Sequence, residues 1–509
     1  MTAPMTADRS LIARTSAVSA ATLGSRVLGF ARDVGTAAIL GAGPLADALM
    51  AALSLPLLAR RLLAEGAFNA ALLPALAKAE DRAAAVANAT FVLLTTVLLA
   101  LTLAGVLAMS ALMLMLAPGF SADGERADLA VACGRIALLY LPLAGAAAVL
   151  ASIANGAGRV LLPALAPMAG NAVVLAVIGV LLMEGLIGTP AAALAMAACA
   201  VMAGIAQLAL MILAVRGAPA LDPRAGFAWR AARGVMRAAG PALLFAGLPQ
   251  VRVLLVAAMV SAVPGAVSAL NYAQRLIDLP LGLVGASAGA VLVPLLASGR
   301  GGARGAETAR AALAALAFAL PAGVGLLTLA EPIISVLYQR ASFTAGDTAQ
   351  TAALLAFLAL ALPLQGLEKV LCAAALSHGL SRQAERIGLV SLVLALLVAA
   401  VLGFAVGPAA AAGGIAVSAG FAVARLGFIL MRGGHLRFAR DIWLPALGLL
   451  AASGLMAGVV TGIAGVWPAP SGTVMGGVRL AVLVLSGMVT YGLVALAVRR
   501  RAGGAAARD

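Results

Sequence analysis

Charge, aromatic rings, sulfur and imidazole are all scarce in this chain of 509 residues: 10% are charged, 4% are aromatic, and there are three cysteines and two histidines. Each scarcity excludes something. Cys133, Cys199 and Cys372 lie far apart in apolar surroundings and read as small buried hydrophobes, not as a disulfide or metal set. His378 and His435 also stand alone in the sequence, so no zinc, haem or thiol chemistry is expected. The only lysines are Lys78 and Lys369, and neither follows the glycines of a G-x-x-x-x-G-K-[ST] loop, which argues against ATP hydrolysis by this chain. No nucleophile has a base spaced to activate it; neither enzyme activity nor a cofactor is expected. The N-terminus, M-T-A-P-M-T-A-D-R-S-L-I-A-R, has no short apolar run ending in a small-residue cleavage site. The first helix is therefore expected to act as its own insertion signal.

What is abundant is apolar residues, at 63%. One soluble core cannot hide that much apolar surface, so the chain reads as an all-α integral membrane protein. A hydrocarbon layer of about 30 Å takes about 20 apolar residues per helix. Hydropathy divides the chain into about fourteen such stretches, near residues 10–41, 45–77, 84–117, 127–154, 160–185, 189–215, 238–262, 268–297, 307–337, 348–377, 385–406, 409–431, 441–466 and 476–498. The net charge of +15 would suggest nucleic acid in a soluble protein. Here the arginines sit in short loops between apolar runs, where the positive-inside rule explains them and nucleic acid is not an expected partner.

Those loops set an expected orientation. With a cytoplasmic N-terminus, the inside connections carry Lys78, Arg82, Arg159, a run from Arg216 to Arg237, Arg300, Arg304, Arg310, Arg382, Arg386, Arg432, Arg437, Arg440 and the tail Arg499–Arg501. The outside connections are G-A-G-P-L-A-D, the acidic Ser121–Asp128 loop, M-E-G-L-I-G-T, S-A-V-P-G-A-V, the Tyr338–Asp347 loop with Arg340, G-P-A-A-A-A and V-W-P-A-P-S-G, so the alternation is almost clean. That alternation predicts an even helix count with both termini cytoplasmic. A repeat is also visible. Leu55-Pro56 and Pro74 are echoed by Leu279-Pro280 and Pro294, and L-P-L-A-G at Leu141–Gly145 with Arg159 by L-P-L-Q-G at Leu362–Gly366 with Arg382. The expected organisation is two pseudo-symmetric six-helix lobes, 1–220 and 221–435, followed by two C-terminal helices and a tail in 436–509. Tandem helix repeats of this kind build transporters that bind substrate between halves and alternate access by rocking.

Ionisable residues inside such helices cost about 2.5–3.5 kcal/mol each on insertion scales and mark transport paths. Residues 24–66 hold Arg26, Arg32, Asp33, Asp47, Arg60, Arg61 and Glu65. Arg26 and Asp33 are seven apart and share a helix face, while Arg32 points elsewhere unless Gly29 bends the axis. Pro56 should free backbone carbonyls on the second helix. Arg275, in N-Y-A-Q-R-L-I-D-L-P, falls with Arg26 and Arg32 in the middle to outer half of the membrane. Three guanidiniums there suit an anion, because the planar fork grips phosphate oxygens in pairs and stays charged. The competing reading is that Arg26–Asp33 and Arg61–Glu65 are internal salt bridges that fix packing. Asp47 reads either as an outer-gate partner or as a helix N-cap. Glu368 and Lys369 are adjacent and cannot share a helix face, so one lines a cavity while the other pairs elsewhere.

S-R-V-L-G-F-A-R-D (Ser25–Asp33), G-A-G-x-x-A-D-A (Gly41–Ala48), L-P-x-L-x-R-R-x-x-A-E-G-A-F (Leu55–Phe68) and N-Y-A-x-R-L-x-x-L-P (Asn271–Pro280) resemble the MurJ/MviN family of lipid II flippases in the MOP exporter superfamily. N-G-A-G-R with P-A-L-A-P (Asn155–Pro167), Asn171 and Y-Q-R-A-S-F-T-A-x-D-T (Tyr338–Thr348) resemble it too, so the likeness spans most of residues 9–390. The resemblance implies fourteen transmembrane helices around a cationic cavity in the bacterial inner membrane. It implies export of the undecaprenyl-diphosphate-linked peptidoglycan precursor, with Arg26, Arg32 and Arg275 on its head group. It gives Asp33, Asp47, Arg60, Arg61 and Glu65 to gating and coupling, and Glu368 and Lys369 stand as candidate cavity charges. Membrane lipids are partners, cell-wall synthesis proteins are candidate ones, and the membrane potential or an ion gradient is the candidate energy source. The likeness weakens in Cys372–Arg386, and helix 11 has no mid-membrane Asp or Asn of the kind that forms a cation site in some relatives. Alternatives are another exporter of the superfamily, for drugs or polysaccharide lipids, and a non-transporting membrane scaffold.

Overall fold

A computed structural model describes residues 4–64, 67–217, 222–297, 304–437, 440–468, 470 and 472–506, and every regular element among them is helical. The chain divides into two compact units: Met1–Gln250 with Arg340–Phe343, and Val251–Gln339 with Thr344–Asp509.

The first unit holds α1 (Pro4–Leu40), α2 (Pro44–Ala64), α3 (Ala67–Ala79), α4 (Ala83–Leu107), α5 (Met109–Leu116), α6 (Gly124–Ala137), α7 (Tyr140–Gly156), α8 (Leu161–Met183), α9 (Pro190–Val215) and the start of α10 (Trp229–Val260). Two apolar clusters bind it. One joins Ile39 and Leu40 of α1 to Leu49 of α2, Cys133 of α6, Ile178 of α8 and Met196 of α9. The other joins Phe68 and Leu72 of α3 to Leu94 of α4, Val149 and Ile153 of α7, Met211 of α9 and Val235 of α10. Gly41, at φ 67, ends α1 where a side chain would be strained, and Pro44 opens α2. The orphan carbonyls at that helix end are taken up: Gly188 N–H donates to Ile39 O at 2.8 Å and Ser342 N–H to Ala38 O at 3.1 Å.

The second unit holds the rest of α10, then α11 (Ala266–Ala297), α12 (Arg304–Thr328), α13 (Ala330–Tyr338), α14 (Ala345–Ser377), α15 (Ser381–Ala405), α16 (Pro408–Ala411), α17 (Gly413–Arg432), α18 (Arg440–Val466) and α19 (Thr473–Ala506). The long α14 packs on α11, α12 and α17. It starts on a capping box, with Asp347 N–H donating to Thr344 Oγ1 at 3.2 Å and Thr344 N–H to Asp347 Oδ2 at 2.8 Å. A Cβ on Gly414 would lie 2.6 Å from Ala395 O, so that glycine lets α17 approach α15.

Several stretches expected as single helices are divided, and proline explains two divisions. The expected 127–154 helix is α6 plus α7, because Pro142 has no N–H for Leu138 O, which accepts instead from Leu141 N–H at 3.0 Å and Thr102 Oγ1 at 3.4 Å. The expected 307–337 helix is α12 plus α13, interrupted at Leu329 just before Pro332. The expected 45–77 helix is described as α2 and α3, on either side of residues 65 and 66. Ten helices among the described residues are long and apolar enough to cross a membrane; one, Pro44–Leu107, has 64 residues, room for two passes, and a shorter apolar helix spans Gly247–Val260. This is consistent with the expected total of about fourteen. The expected first, seventh and eighth crossings fall on α1, α10 and α11. They are the helices that carry Arg26, Arg32 and Asp33; Arg252; and Arg275 and Asp278.

Candidate functional site

In the first unit α1 lies along α8, and a polar seam joins them. Arg32 Nη2 sits 2.6 Å from Asp33 Oδ1 and its Nε 3.0 Å from the same oxygen. Its Nη1 donates to Asn171 Oδ1 at 3.2 Å, and Asn171 Nδ2 donates to Ser25 O at 3.1 Å. Asn171 is buried, whereas the Arg32 and Asp33 side chains keep 19% and 15% of their surface. Arg32 thus reaches round to its own neighbour, and the salt bridge with Asp33 that the sequence allowed to Arg26 belongs to Arg32. Arg26 lies about 9 Å back along the axis. Its side chain is exposed, between exposed Leu23 and Val27, and makes no hydrogen bond or ion pair among the described residues. An exposed guanidinium beside a partly exposed one, on a helix that must cross hydrocarbon, can bind an anion without breaking an existing pair.

Asp47 is different. It is the fourth residue of α2, past the cap position, and is fully buried. Its Oδ2 accepts from Arg126 Nη1 at 3.4 Å. Arg126, on the first turn of α6, is buried over the Phe120 ring at 4.3 Å, donates Nη2 to Gly119 O at 3.3 Å, and holds Nε 3.6 Å from Asp123 Oδ2. Arg126 was missed in the sequence, where it is one cation inside an acidic loop. Arg60 and Arg61 lie in the last turns of α2, both partly buried. Glu65 lies outside the described residues.

In the second unit Arg275 is half-buried on α11. One residue before it, Gln274 donates Nε2 to Asp278 Oδ1 at 2.9 Å, and Tyr272 packs on Tyr338 with ring centroids 5.3 Å apart. Glu368 and Lys369 diverge, as adjacent helical residues must. Lys369 Nζ donates to Leu281 O at 3.4 Å. Glu368 takes Arg252 of α10 in a two-pronged grip, Nη1 to Oε2 at 2.9 Å and Nη2 to Oε1 at 2.6 Å. Arg252 was also missed, although a lone arginine in Q-V-R-V-L-L deserved the suspicion given to Arg26. Among the described residues no group of three or more His, Cys, Asp or Glu could hold a metal ion.

Comparison with known proteins gives the family of this chain. The family model described as lipid II flippase MurJ matches residues 36–478. The chain is 33% identical over 515 residues to the probable lipid II flippase MurJ of Rhizobium tropici, covering 96% of this chain and 94% of that one. It is 34% identical over 469 residues to the counterpart in Rhizobium meliloti, strain 1021, covering 87% and 85%. A solved lipid II flippase MurJ in an inward closed conformation superposes with a TM-score of 0.81 at 20% identity, covering 95% of this chain and 99% of that one. An inward-facing MATE-family multidrug resistance transporter of the MOP superfamily gives 0.66 at 16%, covering 80% and 94%, a likeness of fold. This multi-pass membrane protein belongs to the MurJ family of lipid II flippases.

Proposed function

We propose that this protein carries lipid II, the undecaprenyl-diphosphate-linked peptidoglycan precursor, from the cytoplasmic to the periplasmic face of the bacterial inner membrane. The observation that carries this reading is the family match along nearly the whole chain. The exposed Arg26 beside the partly exposed Arg32 supports it. A diphosphate with about two negative charges cannot cross hydrocarbon unaided, and guanidiniums can replace its water. Arg26, Arg32 and Arg275 bind the head group while the polyprenyl tail stays in lipid. Access alternates by rocking of two lobes, with Asp33, Asp47, Arg60, Arg61 and Glu65 at the gates. Both termini are cytoplasmic, as the loop charges require. The membrane potential, worth about 2.3 kcal/mol per charge per 100 mV, supplies the drive on a cationic cavity.

Rescue of a strain depleted of its own flippase tests the reading. The wild-type chain should restore growth and precursor export. Arg26→Ala, Arg32→Ala and Arg275→Ala should each insert and accumulate yet fail to export. Full export by all three variants would end the head-group assignment, and failure of the wild type to rescue would end the flippase reading.

A further inference from the structure

An intramembrane carboxylate is the default place for a transporter to bind a proton or a metal cation. Glu368, in the second half of α14, is such a carboxylate, and a cation already sits on it. Arg252 is 3% exposed, so the guanidinium is closed off on the α10 side, while the Glu368 side chain keeps 18% of its surface. The guanidinium meets both carboxylate oxygens at 2.9 and 2.6 Å, and Nη2 also donates to Ser391 Oγ of α15 at 3.3 Å. Ser391 in turn donates to Gly388 O at 2.7 Å, which leaves its oxygen lone pairs toward Arg252. Nη2 therefore occupies a position between a carboxylate oxygen and a hydroxyl oxygen, donors that suit a hard cation. The remaining nitrogen, Arg252 Nε, is buried without a hydrogen-bond partner among the described residues.

We propose that Arg252 is a tethered cation that permanently fills the Glu368–Ser391 site, so that this site takes up no exchangeable sodium ion. Because the positive charge is covalently attached to α10, it cannot be released to either side of the membrane. The pair then ties α10, α14 and α15 together in every step of a cycle. For its consequence on energy coupling the proposal rests on the transport reading above and leaves the membrane potential as the drive. For its chemistry it does not, because ion binding is measured without transport.

The test is equilibrium binding of sodium-22 to the purified full-length protein in detergent, with choline chloride as the matched control. The wild type and Arg252→Lys, which keeps a tethered charge, should show no saturable sodium binding. Arg252→Ala should gain a single saturable site, and Arg252→Ala/Glu368→Gln should lose it again. Saturable binding by the wild type that disappears in Glu368→Gln overturns the proposal. So does an Arg252→Ala protein that elutes as a single folded species and binds no sodium. If Arg252→Ala does not fold, the wild-type and Glu368→Gln arms still decide. In proteoliposomes lipid II flipping by the wild type should be unchanged when choline replaces sodium. Flipping that needs sodium overturns the tethered-cation proposal while upholding the flippase; no flipping in either salt sinks the flippase and leaves the binding result standing.

Discussion

The first unit holds both an open and a closed arginine–carboxylate pair, whereas the second buries the guanidinium of its pair. In the first, Arg32 and Asp33 keep part of their surface, Asn171 holds the guanidinium from one side, and exposed Arg26 stands beside them. In the second, the carboxylate Glu368 is as exposed as Asp33, but its partner Arg252 is buried and both prongs of its fork are spent on Glu368. The first unit also contains a closed pair of its own, Asp47 with Arg126, whose side chains are 0% and 2% exposed. The lesson is that an arginine inside a membrane protein says little until its carboxylate is known. A closed pair returns its desolvation cost as fixed geometry, whereas an open one keeps charge available for a ligand.

The hardest test of this contrast is to open a closed pair. Arg126→Ala takes the guanidinium away from the fully buried Asp47, and loss of one partner from a buried pair costs about 3–5 kcal/mol. The expected result is a large fall in melting temperature and in accumulated protein. Arg126→Met combined with Asp47→Leu should recover most of that loss, because an apolar pair of similar volume carries no stranded charge. If the single variant melts like the wild type, Asp47 is not held as the distances imply.

Next in size is the open site. Arg32→Ala should lower precursor affinity about 10- to 100-fold, the worth of charge-assisted hydrogen bonds of about 1.5–3 kcal/mol. Arg32→Lys should recover only part of it, since the ammonium keeps the charge and loses the fork. Arg26→Ala should lower binding while leaving the melting temperature nearly unchanged, because an exposed side chain with no partner among the described residues contributes little to folding. A melting temperature that fell as far as in Arg126→Ala would erase the distinction between open and closed.

How much of this was legible in the sequence follows from the range of each interaction. The motifs of α1, α2 and α11 and their charges were readable because hydropathy and composition are local. The divergence of Glu368 and Lys369 was readable too, since helical periodicity fixes it. The partners were not. Arg126 meets Asp47 across 79 residues and Arg252 meets Glu368 across 116, and no periodicity within one helix reports such a pairing. Helix interruptions fall between these cases. Pro142 was visible, but that Leu138 O would find Thr102 of α4 depends on how the helices pack. Asn171 was quoted as part of a motif, yet only its place against Arg32 and Ser25 shows that it orients the guanidinium. Asn171→Ala should therefore weaken export through Arg32, by about 10-fold for the loss of one hydrogen bond to a charged group. It should have no further effect in an Arg32→Ala background.

The smallest expected effect bears most finely on the comparison. In the closed pair Ser391 donates nothing to the carboxylate; it only accepts from Arg252 Nη2 at 3.3 Å, while the same nitrogen is 2.6 Å from Glu368 Oε1. Ser391→Ala removes that accepting oxygen and the local bond to Gly388 O, leaving both prongs of the fork in place. The cost should lie near the low end for a neutral hydrogen bond, about 0.5–1 kcal/mol, read as a small drop in melting temperature with export retained. The comparable deletion on the open side, Asn171→Ala, should do the reverse and cost more in export than in stability. A closed pair tolerates loss of its third partner because two charge-assisted bonds already fix the guanidinium. An open one does not, because its two remaining bonds both go to one oxygen of Asp33, its neighbour on the same helix. If Ser391→Ala instead abolished export at an unchanged melting temperature, the Arg252 cluster would have to be a moving part, and the division between the two units would fail.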